Sequence, residues 1–283
     1  MPHANSKPVA LSIAGFDPSA GAGVLADLKT FIAHECYGVA AVAAMTAQNT
    51  REVRKVVPVD SALLRLQLDT LFEDIDVAGI KIGLLGSTKN MEVVADCLTA
   101  RRNLPVVADP VLRSSSGTEF VSEQDLQPFK RLIFPLVQVL TPNAEEAGRL
   151  LGIPVSTLEE MKGAAQLLHD QGARHVVITG GHLDKPADVY YEGQEVEVFT
   201  GNRIESQSTH GTGCTFSSAI LANMVNGKAV KESIVLAKAY VTQAIARAYP
   251  IGNGRGPLHH LFRFGEQQVR AGGPEVLHEP PHR

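Results

Sequence analysis

The residues Thr-His-Gly-Thr-Gly-Cys at positions 209–214 are the part of the sequence best suited to chemistry on a phosphate group. They open an uncharged, helix-like segment, and Gly211 and Gly213 leave the backbone free to curl so that N–H groups at the helix start point outward. Such groups lie at the positive end of the helix dipole and bind anionic oxygens. Cys214 falls in the first helical turn, where that field favours the thiolate. The pattern is equally typical of a glycine-rich helix cap with a packed cysteine.

Two carboxylates that follow predicted strands are candidates for binding a metal ion. Asp109 closes the strand that begins at Val106, and the carboxyl ends of strands in an open α/β sheet border the crevice that binds ligands. Asp109 could hold Mg²⁺ or accept a proton, and a turn-capping role before Pro110 is the alternative. Glu146 follows Asn143 at the capping-box spacing, so helix capping is a full local explanation of these two residues.

A further group of polar residues could recognise a heterocycle. Asp27 lies in the first predicted helix, Gln48 follows the second predicted strand, and both are expected near the sheet edge where Gly15 ends the first strand. A carboxylate and an amide that converge there could read the donor and acceptor groups of a ring. The alternative interpretation is a solvated helix aspartate and a loop glutamine.

Other nucleotide and nucleophile signatures are weaker. The nearest match to a P-loop begins at Gly15 and lacks the lysine that must reach the phosphates. The dinucleotide fingerprint is matched by Gly21, Gly23 and Ala26, but residues 16–20 separate these positions from the strand end, which disfavours a dehydrogenase. A flexible Gly-Thr-Gly separates His210 from the nearby cysteine, which argues against a Cys–His nucleophile pair.

Short apolar runs alternate with amphipathic segments through most of the chain. This alternation predicts an α/β fold in which helices cover both faces of a mostly parallel sheet. The predicted strands are residues 9–14, 39–45, 78–82, 106–108, 137–140 and 175–179, and the predicted helices are residues 22–34, 61–72, 88–99, 124–132, 144–151 and 158–171. A hairpin over residues 189–199 and helices over 213–226 and 231–249 follow. We expect one domain over residues 8–264 and a loosely held tail over 265–283.

Composition and charge disfavour several classes of protein. Of the 283 residues, 44% are hydrophobic and 20% are charged, as expected of a globular protein with a large core. The net charge of −4 offers no basic excess to attract nucleic acid or an anionic membrane. The three cysteines form no C-x-x-C motif, and no stretch of sequence has the apolar length of a transmembrane helix. We therefore expect a cytoplasmic protein.

A series of motifs resembles, in content and order, those of a known family. The motifs are A-L-S-I-A-G-F-D-P-S-A-G-A-G-V-L-A-D-L-K-T-F at residues 10–31, A-Q-N-T at 47–50, K-I-G-L-L at 81–85, D-P-V at 109–111, T-P-N-A-E-E-A at 141–147, T-G-G-H at 179–182 and H-G-T-G-C-T-F-S-S-A-I at 210–220. Over residues 9–262 the sequence resembles the hydroxymethylpyrimidine and phosphomethylpyrimidine kinases of thiamine biosynthesis. The resemblance implies a ribokinase-like fold, with three α/β/α layers and a central, mostly parallel sheet.

The resemblance also implies roles for individual positions. The positions that hold the aminopyrimidine correspond to Gly15, Asp27, Gln48 and Val111. The anion hole corresponds to Gly211, Thr212 and Gly213, followed by Cys214 where other ribokinase-like enzymes have a catalytic aspartate. The positions that organise Mg²⁺ correspond to Asn143 and Glu146, with Asp109 beside them. The positions that line the ATP site correspond to Asn143, Thr179, Gly180 and Gly181.

The implied activity is ATP-dependent phosphorylation of 4-amino-5-hydroxymethyl-2-methylpyrimidine and then of its monophosphate. The resemblance implies ATP and Mg²⁺ as cofactors and Cys214 as the base that accepts the hydroxyl proton. We also expect a homodimer. The sequence departs from the family at Phe16, where a small polar residue is common, at Thr179, where lysine is frequent, and at Leu112 and Arg113, where a methionine and a small residue are expected. A pyridoxal kinase of the same fold and a catalytically silent pyrimidine-binding protein stay open as alternatives.

Overall fold

The computed structural model describes residues 7–114, 117–181, 183 and 185–264. The strands are β1 (Val9–Phe16), β2 (Tyr37–Gln48), β3 (Val53–Pro58), β4 (Gly79–Ile82), β5 (Val106–Ala108), β6 (Val139–Leu140), β7 (His175–Gly180), β8 (Ala187–Tyr191) and β9 (Val196–Thr200). The α-helices are α1 (Gly23–Ala33), α2 (Ser61–Asp74), α3 (Thr88–Thr99), α4 (Glu123–Ile133), α5 (Ala144–Leu151), α6 (Leu158–Asp170), α7 (Thr212–Val225) and α8 (Val230–Ala246), and short 3₁₀ helices lie at Phe134–Leu136 and Phe262–Phe264. The tail predicted at residues 265–283 lies outside the described residues, as does His182 of the T-G-G-H motif.

The strands form a 9-stranded sheet in the order β3-β2-β1-β4-β5-β6-β7-β8-β9. The pairs from β2 through β7 are parallel, whereas β3, β8 and β9 pair antiparallel at the two edges. The chain leaves β1 towards β2 and later returns to β4 on the other side of β1. In open α/β sheets, such a reversal of strand order opens a crevice at the carboxyl ends of the strands, and ligands bind there. The topology therefore places the ligand crevice next to β1 and β4.

Two hydrophobic cores lie on opposite faces of this sheet. In β1, Leu11 and Ile13 pack into one core and Ala10 packs into the other, because successive side chains of a strand point to opposite faces. Strands β5, β6 and β7 alternate in the same way. Helices α2 to α6 cover the first core, and α1, α7 and α8 cover the second. The predicted α/β/α layers and the late hairpin, β8–β9, are therefore confirmed.

The structure differs from the sequence prediction at β2, β3 and β6. Strand β2 continues past its predicted end to Gln48, so that this residue ends a strand instead of lying in a loop. Strand β3 was not predicted, because Arg54, Lys55 and Pro58 interrupt its apolar residues; such interruptions are typical of an edge strand. Strand β6 is two residues shorter than predicted, because residues 137 and 138 connect the 3₁₀ turn at 134–136 to the strand.

Helices α1 and α7 begin differently from α2, α5 and α6. The Asp60 side chain caps the first N–H groups of α2, and capping boxes cap the starts of α5 and α6. By contrast, α1 begins after Ala22 and α7 after Gly211, and neither residue supplies a capping side chain. The first N–H groups of α7 are therefore free of a side-chain cap. None of the helices in the described part of the chain has the length and apolarity that a transmembrane span needs.

Candidate active site

The start of α7 lies against the carboxyl end of β5. A Cβ atom added at Gly213 would lie 3.5 Å from Oδ2 of Asp109, and the Cys214 thiol is near enough to the Asp109 carboxylate to lower its pKa. Gly213 is exposed, whereas Cys214 and Asp109 are buried. The structure thus brings together a predicted anion-binding turn, a predicted acidic residue and the predicted proton acceptor.

Gly211 makes the turn before α7 possible. Its φ angle is 81°, in the left-handed region, and a Cβ atom at this position would lie only 1.8 Å from the carbonyl oxygen of Gly21. The turn before α1 and the turn before α7 therefore touch backbone to backbone. The same approach lets the Gly23 N–H donate to the sulfur of Cys214, so that two helix starts face this thiol.

Cys214 is buried, with only 8% of its surface exposed. Burial raises the pKa of its thiol far above the ordinary value; the charge of Lys81 opposes this shift, and the charges of Asp109 and Asp27 add to it. The prediction that the helix start favours the thiolate is wrong for this thiol, because desolvation and two nearby carboxylates outweigh the helix dipole. The resting form is therefore the thiol.

A buried ion pair lies behind the turn. The Lys81 ammonium is 3.1 Å from both carboxylate oxygens of Asp27, which also accepts from the Ser12 hydroxyl at 2.6 Å and from the Ser218 hydroxyl at 2.7 Å. Both ionic side chains are 0% exposed. Burial alone would lower the pKa of Lys81, but the charges of Asp27 and Asp109 raise it, so the lysine stays charged. This cluster joins β1, α1, β4 and α7.

Asp27, which the resemblance places among the substrate contacts, is engaged in this ion pair. Its oxygens are held by a lysine and two serines, and its side chain has no exposed surface, so it presents no free acceptor to a ligand. The substrate contact of Asp27 stays a prediction. Gly15, by contrast, lies as predicted at the end of β1, at a register shift against β2.

Asp109 and Glu146 form a buried pair of carboxylates. Burial raises the pKa of each, and the negative charge of Asp109 raises that of Glu146 further. One oxygen of Glu146 accepts from the Leu112 N–H at 3.1 Å, and the other completes the predicted capping box with the Asn143 N–H at 3.0 Å. Glu146 therefore joins α5 to the loop that follows Asp109.

The carboxylates present could bind Mg²⁺ only together with the phosphates of a nucleotide. Among the residues that the structure describes, no three His, Cys, Asp or Glu side chains come together as metal ligands. Magnesium is usually held by one or two carboxylates together with substrate phosphates, and Asp109 and Glu146 are such a pair. A divalent cation would also relieve the repulsion between two buried carboxylates.

The loop after Asp109 is strained at Val111. This residue has a φ angle of 43°, which is rare for a β-branched side chain, and the bond from the Leu112 N–H to Glu146 holds the backbone beside it. Arg113 pairs with Glu145 at 2.9 Å and is partly exposed. Strain of this kind clusters at ligand-binding sites.

The residues predicted to line the ATP site lie at the ends of β6 and β7. Asn143 and Thr179 form an isolated parallel bridge, and the Thr179 N–H donates to the Pro142 carbonyl at 2.9 Å. Gly181 is exposed and has open space around its Cα, whereas Gly180 is buried against β8. Asn143 and Thr179 are half-buried, so Gly181 is the most exposed of the four predicted residues.

Sequence reasoning missed two charged residues of this site. Asp17 follows β1 and accepts a 2.8 Å hydrogen bond from His210, and Lys81 forms the buried ion pair. The strand-end argument applied to Asp109 would also have found Asp17, and a lysine inside the apolar strand β4 is itself an unusual signal. The sequence argued against a nucleophile pair of His210 and Cys214. In the structure Nε2 of His210 lies 3.1 Å from Nε2 of Gln48.

Comparisons with known proteins agree with this geometry. A family model described as phosphomethylpyrimidine kinase matches residues 17–259. The hydroxymethylpyrimidine/phosphomethylpyrimidine kinase of Aquifex aeolicus is 40% identical over 87% of this chain and 97% of its own length. A bifunctional thiamine biosynthesis protein of Geobacter sulfurreducens is 42% identical over 89% of this chain, which spans 52% of that protein. The crystal structure of an ADP complex of Bacillus subtilis pyridoxal kinase superposes with a TM-score of 0.83 at 37% identity, over 90% of this chain and 98% of that one.

The fold and the site define a phosphotransferase of the ribokinase-like class. Within that class, the chain belongs to the phosphomethylpyrimidine kinase family, which confirms the resemblance seen in its motifs.

Replacement of Lys81 by methionine tests the buried ion pair. We expect K81M to lower the free energy of unfolding by about 3–5 kcal/mol, because it leaves the Asp27 charge buried without its partner. The control is K228M, which removes an exposed pair with Glu232 and is expected to change stability by less than about 1 kcal/mol. Urea unfolding of both variants measures the difference, and equal losses would contradict the role of the buried pair.

Replacement of Gly211 by alanine tests the contact between the two turns. We expect G211A to lower the phosphotransfer rate by about 100-fold or more, because the methyl group must push the N–H groups of α7 away from the site. Gly227, after α7, has a φ angle of 85° and nothing within 4 Å of an added Cβ atom, so G227A isolates the effect of backbone strain. Steady-state rates that fall equally in G211A and G227A would show that the contact does not matter.

Proposed function

We propose that this protein transfers the γ-phosphoryl group of ATP to the hydroxymethyl oxygen of 4-amino-5-hydroxymethyl-2-methylpyrimidine, and then adds a second phosphate to the monophosphate. The observation that carries the proposal is the uncapped turn of α7, which presents backbone N–H groups beside the buried carboxylate of Asp109. Family membership and the thiamine-pathway relatives support the choice of substrate.

Phosphoryl transfer depends mainly on alignment and on neutralisation of charge. The N–H groups at Gly211, Thr212 and Gly213 would bind the oxygens of the group in transfer. Asp109 and Glu146 would hold Mg²⁺, which supplies positive charge between the phosphates when it is bound. Asn143, Thr179 and Gly181 would border the nucleotide, and Gln48, Gly15 and the strained backbone at Val111 would contact the pyrimidine.

The proton of the substrate hydroxyl needs an acceptor, and the structure favours a route through Cys214. The Asp109 carboxylate lies beside this thiol, so the sulfur would take the hydroxyl proton while its own proton passes to that carboxylate. The new bond joins the substrate oxygen to phosphorus, the bond to the bridging oxygen of ATP breaks, and ADP leaves. This route does not require a stable thiolate before the substrate binds.

Replacement of Cys214 by alanine separates the two phosphorylations. We expect C214A to slow the first by about 100-fold or more, because a neutral alcohol needs a proton acceptor. The second is expected to fall by less than about 10-fold, since a phosphate acceptor is already largely ionised near neutral pH. ADP release with the alcohol and with its monophosphate measures both rates. The control is C97A, at a buried cysteine of α3, and it should leave their ratio unchanged; equal losses in C214A would reject the proton role.

Pyridoxal kinase activity is the second candidate, because the Bacillus subtilis relative of this fold has that name. ADP release with pyridoxal and with the pyrimidine alcohol decides between them, and a higher kcat/KM for pyridoxal would overturn our choice. The absence of ADP release with both substrates would favour a silent pyrimidine-binding protein. The cytoplasmic location, the homodimer and the single domain over residues 8–264 stay predictions.

A further inference from the structure

The chain after Asp109 turns back on itself as a hairpin, whose two sides meet in an antiparallel bridge between Arg113 and Glu119. At the base of this hairpin, the Leu112 N–H donates to Glu146 at 3.1 Å. Glu146 is close enough to Asp109 for the charge of Asp109 to raise its pKa. Arg113 therefore follows directly after a backbone group that contacts the candidate metal site.

The Arg113 guanidinium lies against the start of α5. Its Nη1 atom is 2.9 Å from Oε1 of Glu145, and its Nε donates to the Gly117 carbonyl at 2.9 Å and lies 3.6 Å from Glu119. Glu145 directly precedes Glu146 in the first turn of α5. The guanidinium is thus held next to the acidic residues that would bind Mg²⁺, at a position where the sequence departs from the family.

The ion pairs of Arg113 are weak enough to be exchanged. Its side chain is 44% exposed, and those of Glu145 and Glu119 are 61% and 55% exposed. Exposed ion pairs contribute little to stability, and an arginine side chain changes rotamer without moving the backbone. Lys81, in contrast, is fully buried and held by Asp27, so it cannot move to a ligand. Arg113 is therefore a cation of this site that can change its partner.

The second phosphorylation of the proposed function requires such a cation. Near neutral pH the monophosphate carries a charge of about −1.5 to −2, and it must approach the anionic γ-phosphate of ATP beside Asp109 and Glu146. Like charges repel strongly in a partly buried site. The N–H groups at the start of α7 are assigned to the group in transfer, so the acceptor phosphate needs another positive partner. Arginine binds phosphate through two parallel N–H bonds.

We propose that Arg113 exchanges Glu145 for the phosphate of the monophosphate and so determines the specificity of the second phosphorylation. An oxygen of that phosphate forms the new bond to the γ-phosphorus, the bond to the bridging oxygen of ATP breaks, and ADP leaves. The acceptor is already ionised, so Arg113 neither gives nor takes a proton. The alcohol has no anionic group and gains nothing from this contact. The inference rests on the proposed function and names the residue that admits its second substrate.

Binding to the loaded enzyme tests this role without depending on turnover. Calorimetry on the full chain, saturated with a non-hydrolysable ATP analogue and Mg²⁺, gives the dissociation constants of the alcohol and of its monophosphate. We expect Arg113→Gln to weaken binding of the monophosphate by about 10- to 100-fold, because a charged two-point contact is lost. Binding of the alcohol should change by less than about 3-fold, since only exposed ion pairs are removed. Glutamine still has N–H groups for the Gly117 carbonyl.

Two variants at neighbouring charges serve as controls. Arg149→Gln removes the pairs of Arg149 with Glu119 at 2.6 Å and with Glu123 at 3.1 Å, so it loosens the same hairpin and should leave the ratio of the two dissociation constants unchanged. Glu145→Gln removes the carboxylate that competes with the phosphate for Arg113, and it should tighten binding of the monophosphate by about 2- to 5-fold. A merely structural role of Arg113 would not produce this tightening.

Arg113→Lys decides the question if Arg113→Gln does not fold. Lysine keeps the positive charge but not the planar pair of N–H groups, so we expect the monophosphate to bind about 3- to 10-fold more weakly than in the wild type. Binding of the alcohol should again be unaffected. A lysine variant that binds both ligands as the wild type does would contradict the two-point contact.

The outcomes distinguish the inference from the proposed function. Equal weakening of both ligands in Arg113→Gln would show that Arg113 only supports the hairpin, and it would overturn the inference alone. Unchanged binding of the monophosphate in that variant would do the same. A wild type that binds neither ligand, and releases no ADP with either of them, would overturn the proposed function and the inference with it.

Discussion

The close approach of two backbone turns is the constraint on which the rest of the site depends. Gly211 lies so near the Gly21 carbonyl that no side chain fits between them. Because of this contact, the first residues of α1 and α7 lie next to each other. Cys214 then receives the Gly23 N–H, and His210 reaches Asp17. Residues that are almost two hundred positions apart thus form one surface at the crevice beside β1.

The charges of the site are arranged around that contact. The ion pair of Lys81 and Asp27 fixes α7 through Ser218 and leaves no free carboxylate at its own position. Asp109 and Glu146, in contrast, are two acidic groups in a buried setting that raises the pKa of both. A buried pair of this kind is poorly stable when both members are ionised, and a cation relieves the repulsion. The site therefore has an electrostatic requirement that a nucleotide with a divalent ion would satisfy.

Much of this arrangement could be predicted from local patterns. The alternation of apolar runs and amphipathic segments predicted the layers, and the spacing of Asn143 and Glu146 predicted the capping box that the structure contains. The strand-end position of Asp109 placed it at the crevice. These features depend on residues close together in the chain, and local chemistry is sufficient to recognise them.

The features that sequence reasoning missed depend on contacts between distant residues. Nothing near Asp27 indicates that Lys81 will neutralise it, and without that knowledge the aspartate looks like a ligand-binding group. The thiol of Cys214 was expected to ionise because the helix start is visible in the sequence, whereas its burial against two carboxylates is not. The contacts of His210 with Asp17 and Gln48 likewise join three separate segments of the chain.

The central claim is that the N–H groups of the turn before α7 bind the phosphoryl group in transfer. A crystal structure with a non-hydrolysable ATP analogue, Mg²⁺ and the pyrimidine alcohol tests it most directly. The account predicts γ-phosphate oxygens within about 3 Å of the N–H groups between Gly211 and Cys214, with the ion beside Asp109. A γ-phosphate bound elsewhere, with this turn contacting only solvent or protein, would contradict it.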